Sequence, residues 1–353
     1  MRAVICLAVL LGVPMASDPG GDPFRVFGPS VTVTAADRAR LERGLPIVLV
    51  LNAEGHELAV FAAIEVGSDV TADRMIAWMQ NVAAFRKSSF VLTVRRFSNP
   101  PRIEDLETLT LDEGDLKDLE ECRPGDCGLK LAVAEIEALQ RVIQTAGTHR
   151  KAKVQATFKQ LMLHRVVGYA AKGHAALDAY RDRHKPRSPA VAFDRLLQRS
   201  TFLQEHAPTI AATLARPSAA PADTVDEFMY WSKERFGGKA VINATHVRIF
   251  RPGHVKDVEV LMTGTQIFAT HYLDACLGVT ALVRDRRSSR GYFVYVNRSD
   301  VDLLEGFWGR FARRIVEGRV EEDGPAILRE VARRLASGNP PASDGGAAPA
   351  SRR

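Results

Sequence analysis

The stretch "YFVYVNRSDVDLLEGFWGRFARRI" (292–315) decides the fold class, because it joins a strand to a long amphipathic helix. Its first residues alternate and are rich in aromatic and β-branched types, which is typical of a strand. Ser299 or Asp300 can then cap a helix. The apolar stripe of that helix comprises Leu304, Phe307, Trp308, Phe311 and Ile315. A helix with one apolar stripe must cover another layer, and a sheet is the natural partner.

Patterns elsewhere in the chain predict the strands of that sheet. Four apolar or alternating segments with turn residues between them predict an antiparallel meander over 240–250, 257–273, 277–285 and 291–297. Further strands are predicted at 46–52, 57–66, 89–97 and 105–111, with a helix over 71–88. The expected fold class is therefore α+β, with an antiparallel sheet of six or seven strands and one long C-terminal helix.

A mainly helical segment interrupts the strands. Residues 131–225 carry apolar side chains at helical spacing and end in the Pro/Ala-rich stretch 216–223. We therefore expect the two halves of one sheet domain, 18–130 and 226–336, to flank a helical insertion. A disordered tail over 337–353 is predicted from its Pro, Ala, Gly and Ser content.

Two stretches resemble the START-like, SRPBCC-type helix-grip proteins. "FAAIEVGSDVTADRMIAWMQNVAAFRKSSFVLTVRRF" (61–97) is similar to their opening strand, helix and second strand, and 292–315 is similar to their last strand and gripping helix. These motifs are degenerate and cover about a quarter of the chain, and the insertion departs from the pattern. The resemblance implies a ligand cavity between the sheet and the C-terminal helix.

The first residues have the layout of a secretory signal. A single Arg precedes an apolar run from Ala3 to Met15, and small residues follow, which predicts cleavage near residue 17. We therefore expect export to the periplasm or outside the cell. In that compartment a disulfide between Cys122 and Cys127 is expected, because Pro124-Gly125 turns the chain between them.

The charge is unevenly distributed. The net charge of +6 is mild for 353 residues and does not favour nucleic acid as a partner. Residues 141–187, however, hold eleven Lys and Arg against two Asp, whereas 104–121 hold nine acidic side chains and one Lys. The basic helices predict either peripheral docking on an anionic membrane or internal pairing with the acidic stretch.

The window "ATHYLDACLGV" (269–279) carries the polar side chains that look most like a catalytic group. His271 and Asp274 lie on opposite faces of a strand, so they form one site only if a bulge intervenes. His246 in the neighbouring strand could pair with His271 or Tyr272. His246, His271 and Asp274 are the acid–base candidates, and hydrogen-bonded strand residues are the alternative.

Other residues are candidates for ligand contact. Tyr230 and Trp231 precede a Gly-Gly hinge and could form a lid or staple the insertion to the sheet. Arg298 could stand at a pocket mouth or pair at the surface. The full set of expected ligand contacts is Tyr230, Trp231, His246, His271, Tyr272 and Arg298.

These patterns favour an exported protein that binds an apolar, lipid-like molecule. There is no nucleophile motif, phosphate loop or metal-ligand spacing, so no cofactor or metal is expected. An enzyme of the cyclase or dehydratase kind is one alternative. An envelope interaction protein without a small ligand is the other.

Overall fold

The structure is a computed structural model that describes residues 22–216, 221–236, 238–306 and 309–342. The predicted signal segment, Phe307, Trp308 and most of the predicted tail lie outside the described residues. Across the described part, no helix is both long enough and apolar enough to cross a membrane.

One antiparallel sheet of eight strands forms the centre of the molecule and confirms the α+β class. Its spatial order is β1-β2-β8-β7-β6-β5-β4-β3. The strands are β1 (Ile47–Leu51), β2 (Glu57–Val66), β3 (Val91–Arg96), β4 (Thr224–Phe236), β5 (Lys239–Phe250), β6 (Val258–Ala269), β7 (Leu273–Arg284) and β8 (Gly291–Val301).

The insertion does not break this sheet, because it leaves from β3 and returns at β4, which are paired neighbours. Val94 lies opposite Ser232 in that ladder. The helices of the chain are α1 (Ala35–Leu41), α2 (Ala72–Gln80), α3 (Val82–Arg86), α4 (Glu113–Glu121), α5 (Val133–Thr145), α6 (Arg150–Lys172), α7 (Pro189–Gln198), α8 (Thr201–His206), α9 (Pro208–Ala215) and α10 (Gly309–Ala336).

Two segments differ from their predicted form. The strand predicted over 105–111 is a short 3-10 turn and a loop, because Leu106, Leu109 and Leu111 all bury against the insertion helices. The segment expected to act as lid or staple is strand β4. Apolar residues occupy both of its faces, which hides the alternation in the sequence.

The C-terminal helix also begins later than predicted. Ser299 and Asp300 belong to β8, and α10 continues through Pro325. Within the predicted apolar stripe, Phe311 is 63% exposed and Ile315 is 46% exposed. The helix contacts β1 and β2 through other residues, which are Ala312, Val316 and Val320.

The sheet therefore has two covered faces. The helix face packs against α2, α3 and the end of α10 through residues such as Ile64, Phe293 and Val260. The insertion face packs against the N-terminal segment and α7–α9 near β2, and against α5 and α6 near β5. The sites described below lie on different faces.

A short cysteine loop closes the end of α4. Cys122 and Cys127 lie at disulfide distance, with Cα atoms 4.3 Å apart, in agreement with the predicted pair. Cys276 is a free cysteine on the helix face of β7 and is half-buried.

Candidate functional site

The acid–base candidates do not come together in the fold. The ladder between β5 and β6 pairs His246 with Thr265, so the expected pairing with His271 or Tyr272 is wrong. His271 lies six residues beyond Thr265, about 20 Å farther along an extended chain. His246 and His271 therefore cannot act on one reacting atom.

His271 instead connects the end of β6 to the cysteine loop region. Its Nδ1 lies 2.9 Å from the Gly128 carbonyl oxygen, and its Nε2 lies 2.9 Å from Asp115 Oδ1. Both partners are acceptors, so the ring carries two protons or the Asp115 carboxyl carries one. With both nitrogens engaged and the residue 4% exposed, His271 holds structure together.

Asp274 belongs to a buried ion cluster around one lysine. Lys130 Nζ lies 2.6 Å from Asp274, 2.8 Å from Asp302 and 3.6 Å from Asp182. Burial alone would lower the pKa of Lys130, but the charges of these carboxylates outweigh it and raise the pKa. The lysine stays charged and balances the cluster in part, and Asp274 is held in an ion pair.

The expected ligand contacts are also dispersed. Trp231 is fully buried on the insertion face, where its Nε1 donates to the Asp105 carbonyl. Arg298 lies on the insertion face near the end of β8, where it forms an ion pair with Glu57. Tyr272 lies in the β6–β7 turn with a φ of 66° and its ring 5.7 Å from that of Phe236. Of the six residues, Tyr230 lies on the helix face of the sheet centre.

The centre of that face is partly exposed, and we call this area the helix-face recess. Six adjacent positions on the four central strands are half-buried, whereas Leu277 and Val279 on the opposite face are 1% and 2% exposed. The six floor residues are Thr245, Gly264, Cys276, Gly278, Tyr295 and Asn297. Helix α10 leaves this area open because it lies over β1 and β2.

Two glycines create the depth of the recess. Gly264 and Gly278 face each other across the β6–β7 ladder. A Cβ at Gly278 would lie 3.6 Å from the Tyr295 ring, and one at Gly264 would lie 3.7 Å from Thr245. A Cβ at either position would therefore be in ordinary van der Waals contact with its neighbours, without a clash.

Polarity increases along the recess. The strand register places Phe293 beside Leu282 in the row that packs on α2, and Tyr295 beside Thr280 in the next row. The following row contains Asn297, which donates to the Tyr295 hydroxyl at 3.0 Å and to Cys276 Sγ at 3.1 Å. One end of the recess is thus aromatic and aliphatic, and the other is hydrogen-bonding.

An ion pair forms the wall beside β4. Arg86 Nη2 on α3 lies 2.7 Å from Glu234 Oε1, and its guanidinium lies 5.7 Å from the Tyr230 ring centre. The Arg86 Nε is buried and has no hydrogen-bond partner in the described structure. An unpartnered donor at the wall of a recess is suited to a polar group of a ligand.

Burial keeps the recess side chains in their neutral forms. It raises the pKa of the Tyr295 phenol, the Tyr230 phenol and the Cys276 thiol. Neutral phenols and a neutral thiol are hydrogen-bonding and packing groups, and such a thiol is a poor nucleophile. The arrangement can therefore bind and orient a molecule, with no activated nucleophile among these three groups.

His246 lies on the insertion face, in a second opening that we call the edge groove. It has a volume of about 1560 Å³ and lies beside the first part of β4. His246 contacts Glu227 and Tyr169 there, with Nε2 to Oε1 2.8 Å and Nδ1 to Oη 3.2 Å.

Sequence reasoning missed most of the recess residues. Tyr295 and Asn297 lie in a segment whose pattern predicts a strand, but alternation alone does not tell which face is open. The signal available was Gly264 and Gly278, two glycines inside predicted strands, which often mark a close approach of a ligand or another chain.

Comparison with known proteins adds little to the geometry. No protein-family model matches the chain, and no curated protein matches it. Among solved structures, TTHA0849 from Thermus thermophilus is similar over 42% of this chain and 90% of its own. The sequence identity is 10% and the TM-score is 0.23, which is too low to carry an argument.

Proposed function

We propose that this protein is a ligand-binding protein of helix-grip architecture whose ligand lies in the helix-face recess. The observation that carries the proposal is the open, glycine-floored centre of a sheet that is otherwise covered on both faces. Protein interiors are close-packed, so open space at the middle of a sheet needs an explanation.

The topology supports the helix-grip interpretation. Without β1 and the insertion, the spatial order of the strands is β2-β8-β7-β6-β5-β4-β3. Along the chain, α2 and α3 lie between β2 and β3, and α10 follows β8. The sequence resemblance implies an opening strand followed by a helix, and a last strand followed by a C-terminal helix; β2 with α2 and β8 with α10 fit that pattern. In this chain α10 grips the β1–β2 edge and leaves the recess accessible.

The gradient of polarity selects the class of ligand. The row containing Phe293 and Leu282 fits an apolar tail, and the row containing Asn297 fits a group that accepts or donates hydrogen bonds. Arg86, whose Nε has no hydrogen-bond partner in the described structure, lies at the β4 side of the recess. An amphipathic, lipid-like molecule matches this arrangement, because apolar pockets with a few placed polar groups bind by shape and orientation.

Export and membrane contact complete the proposal. The signal-like N-terminal segment supports a periplasmic or secreted location, and the exposed part of the basic insertion supports contact with anionic lipid head groups. The enzyme alternative receives less support, because His246, His271 and Asp274 lie in separate environments. The envelope-interaction alternative does not account for the open recess.

Filling the recess tests the proposal. The Gly278→Leu variant places an isobutyl group above the β6–β7 floor, where an amphipathic ligand would lie. With dansyl-undecanoic acid as the fluorescent probe, we expect the wild-type protein to bind and the variant to bind at least about tenfold more weakly.

The matched control is Gly253→Leu, which adds the same side chain in open space in the β5–β6 turn. It should bind the probe as the wild type does. Equal binding by Gly278→Leu and wild type, with both variants folded by circular dichroism, would show that the probe does not enter the recess.

A further inference from the structure

The edge groove is separate from the recess and exists because β3 is short. The ladder between β3 and β4 ends at Arg96 and Tyr230, and one more backbone hydrogen bond joins Phe97 to Met229. The first part of β4 is therefore paired with β5 on one side and has no described strand on its outer side. The groove surrounds this open edge, between the α2–α3 junction on one side and the end of α6 on the other.

Four polar side chains on the insertion side of the groove form a chain of hydrogen bonds. Tyr169 donates to His246 Nδ1 at 3.2 Å, and His246 Nε2 donates to Glu227 Oε1 at 2.8 Å. Arg248 Nε donates to the same Glu227 oxygen at 2.8 Å, and its Nη1 donates to the Thr213 carbonyl at 3.1 Å. These bonds fix the side chains before any ligand arrives.

The charges of this cluster cancel. The hydrogen bond from His246 and the charge of Arg248 lower the pKa of Glu227 to about 2, so the carboxylate stays ionised. Burial lowers the pKa of His246, and burial lowers that of His174 to about 4. At neutral pH, one cation and one anion therefore stand beside two neutral imidazoles, and the net charge is zero.

Several hydrogen-bonding atoms of the cluster remain unused within the described structure. His174 is 7% exposed, lines the groove, and has a buried Nε2 without a partner. Its ring is fixed, because it stacks on Phe193 with the ring centres 3.8 Å apart. Arg248 Nη2 donates no hydrogen bond to the described residues, and Glu227 Oε2 accepts none from them. The three residues that carry these atoms line the same groove.

Two buried hydroxyls extend this polar layer. Thr265 lies opposite His246 and Thr263 lies opposite Arg248 in the β5–β6 ladder. Each threonine is 1% exposed, and each Oγ1 lacks a partner in the described structure. The two threonines do not line the groove. An unpaired buried polar group is costly and rare in native proteins, and His174 is the groove-lining residue that carries one in the described structure.

We propose that the edge groove is a second binding site and that its ligand is a small neutral polyhydroxylated molecule, a sugar or cyclic polyol. A hydroxyl both donates and accepts, and so satisfies His174 Nε2, Arg248 Nη2 and Glu227 Oε2 together. A cluster of zero net charge gives a free anion or cation no advantage. The Tyr169 ring lines the groove as well, where it packs edge-on against His174 and His246 and holds both imidazoles in place.

Saturation-transfer NMR on the whole protein tests this site with six probes. They are glucose, galactose, N-acetylglucosamine and myo-inositol, with citrate and inorganic phosphate as anionic probes; phosphate has no C–H protons, so its binding is followed by the broadening of its ³¹P line. We expect transfer to at least one neutral probe and none to the anions. His174→Phe keeps the ring stacking but removes Nε2, and Glu227→Gln keeps the side-chain shape but removes the charge. Each should weaken the binding by about tenfold or more.

The recess variant separates this proposal from the proposed function. Gly278→Leu lies on the other face and should bind the neutral probe as the wild type does. The proposal is overturned if no neutral probe binds, if only citrate or phosphate binds, or if His174→Phe and Glu227→Gln both bind like the wild type. Loss of binding in Gly278→Leu alone would place the sugar in the recess and also contradict it.

Discussion

His174 shows how a residue can be visible in the sequence while its role is not. It lies in a helical segment among other basic residues, and nothing in its spacing distinguishes it from a solvated histidine. Its burial depends on α6 ending at Gly173, whose φ of 63° turns the chain so that the ring stacks on Phe193. Contacts of this kind join distant parts of the chain, and local pattern does not encode them.

The burial of His174 predicts a pH dependence of stability. Its pKa is lowered from 6.5 to about 4 in the folded state. As the pH falls through 6.5, His174 takes up a proton in the unfolded chain, whereas in the folded chain it stays neutral until about pH 4. The free energy of unfolding therefore decreases across this window, by up to about 3 kcal/mol.

His174→Phe should remove this part of the acid sensitivity, because phenylalanine does not titrate. The measurement is urea unfolding of wild type and variant at several pH values between 7 and 4. Exposed His254→Phe is the control and should keep the wild-type slope. Identical slopes for His174→Phe and wild type would contradict the assigned burial.

At the scale of elements, the sequence predicted those whose period was clear. Strands β2 and β5 occur close to their expected bounds, whereas β6 ends and β7 begins four residues earlier than expected. The helix predicted over 71–88 is divided into α2 and α3. Strand β4 was missed because both of its faces are buried. The strand predicted over 105–111 was wrong because its leucines pack against the insertion helices. The start of α10 was wrong because Ser299 and Asp300 act as strand residues.

The basic side chains of helix α6 divide between pairing with the acidic helix α4 and exposure to solvent. Arg150 pairs with Glu120 at 3.0 Å, and Lys151 pairs with Glu113, so part of the basic segment is matched by the acidic helix α4. Lys153 and Lys172 are exposed and have no partner in the part of the chain that the structure describes. These two lysines are therefore the cations of α6 available to a membrane surface.

Membrane docking through α6 predicts a measurable loss when these lysines are neutralised. Each exposed cation adds about 1 kcal/mol near an anionic surface, so Lys153→Gln with Lys172→Gln should lower binding about 30-fold. Co-sedimentation with phosphatidylglycerol vesicles at low salt measures this. Arg43→Gln with Arg319→Gln removes the same charge elsewhere and should have little effect. Equal losses in both pairs would indicate a diffuse charge effect without docking by α6.

At the scale of the whole molecule, the fold class could be predicted, whereas the sites could not. The sequence places Tyr295 and Asn297 on a strand and Gly278 on its neighbour. Which face of the sheet stays open depends on where α10 packs, and that is a property of the assembled layers. The edge groove likewise depends on the early end of β3, which no local motif marks.

The central claim is that the helix-face recess holds an amphipathic ligand, and native mass spectrometry of the protein from its own compartment tests it most directly. Organic extraction of the same sample identifies what is bound. The account predicts a co-purifying amphipathic molecule on the wild-type protein that is absent from Gly278→Leu and present on Gly253→Leu. A wild-type protein that is empty in its own compartment, or a ligand retained by Gly278→Leu, would contradict it.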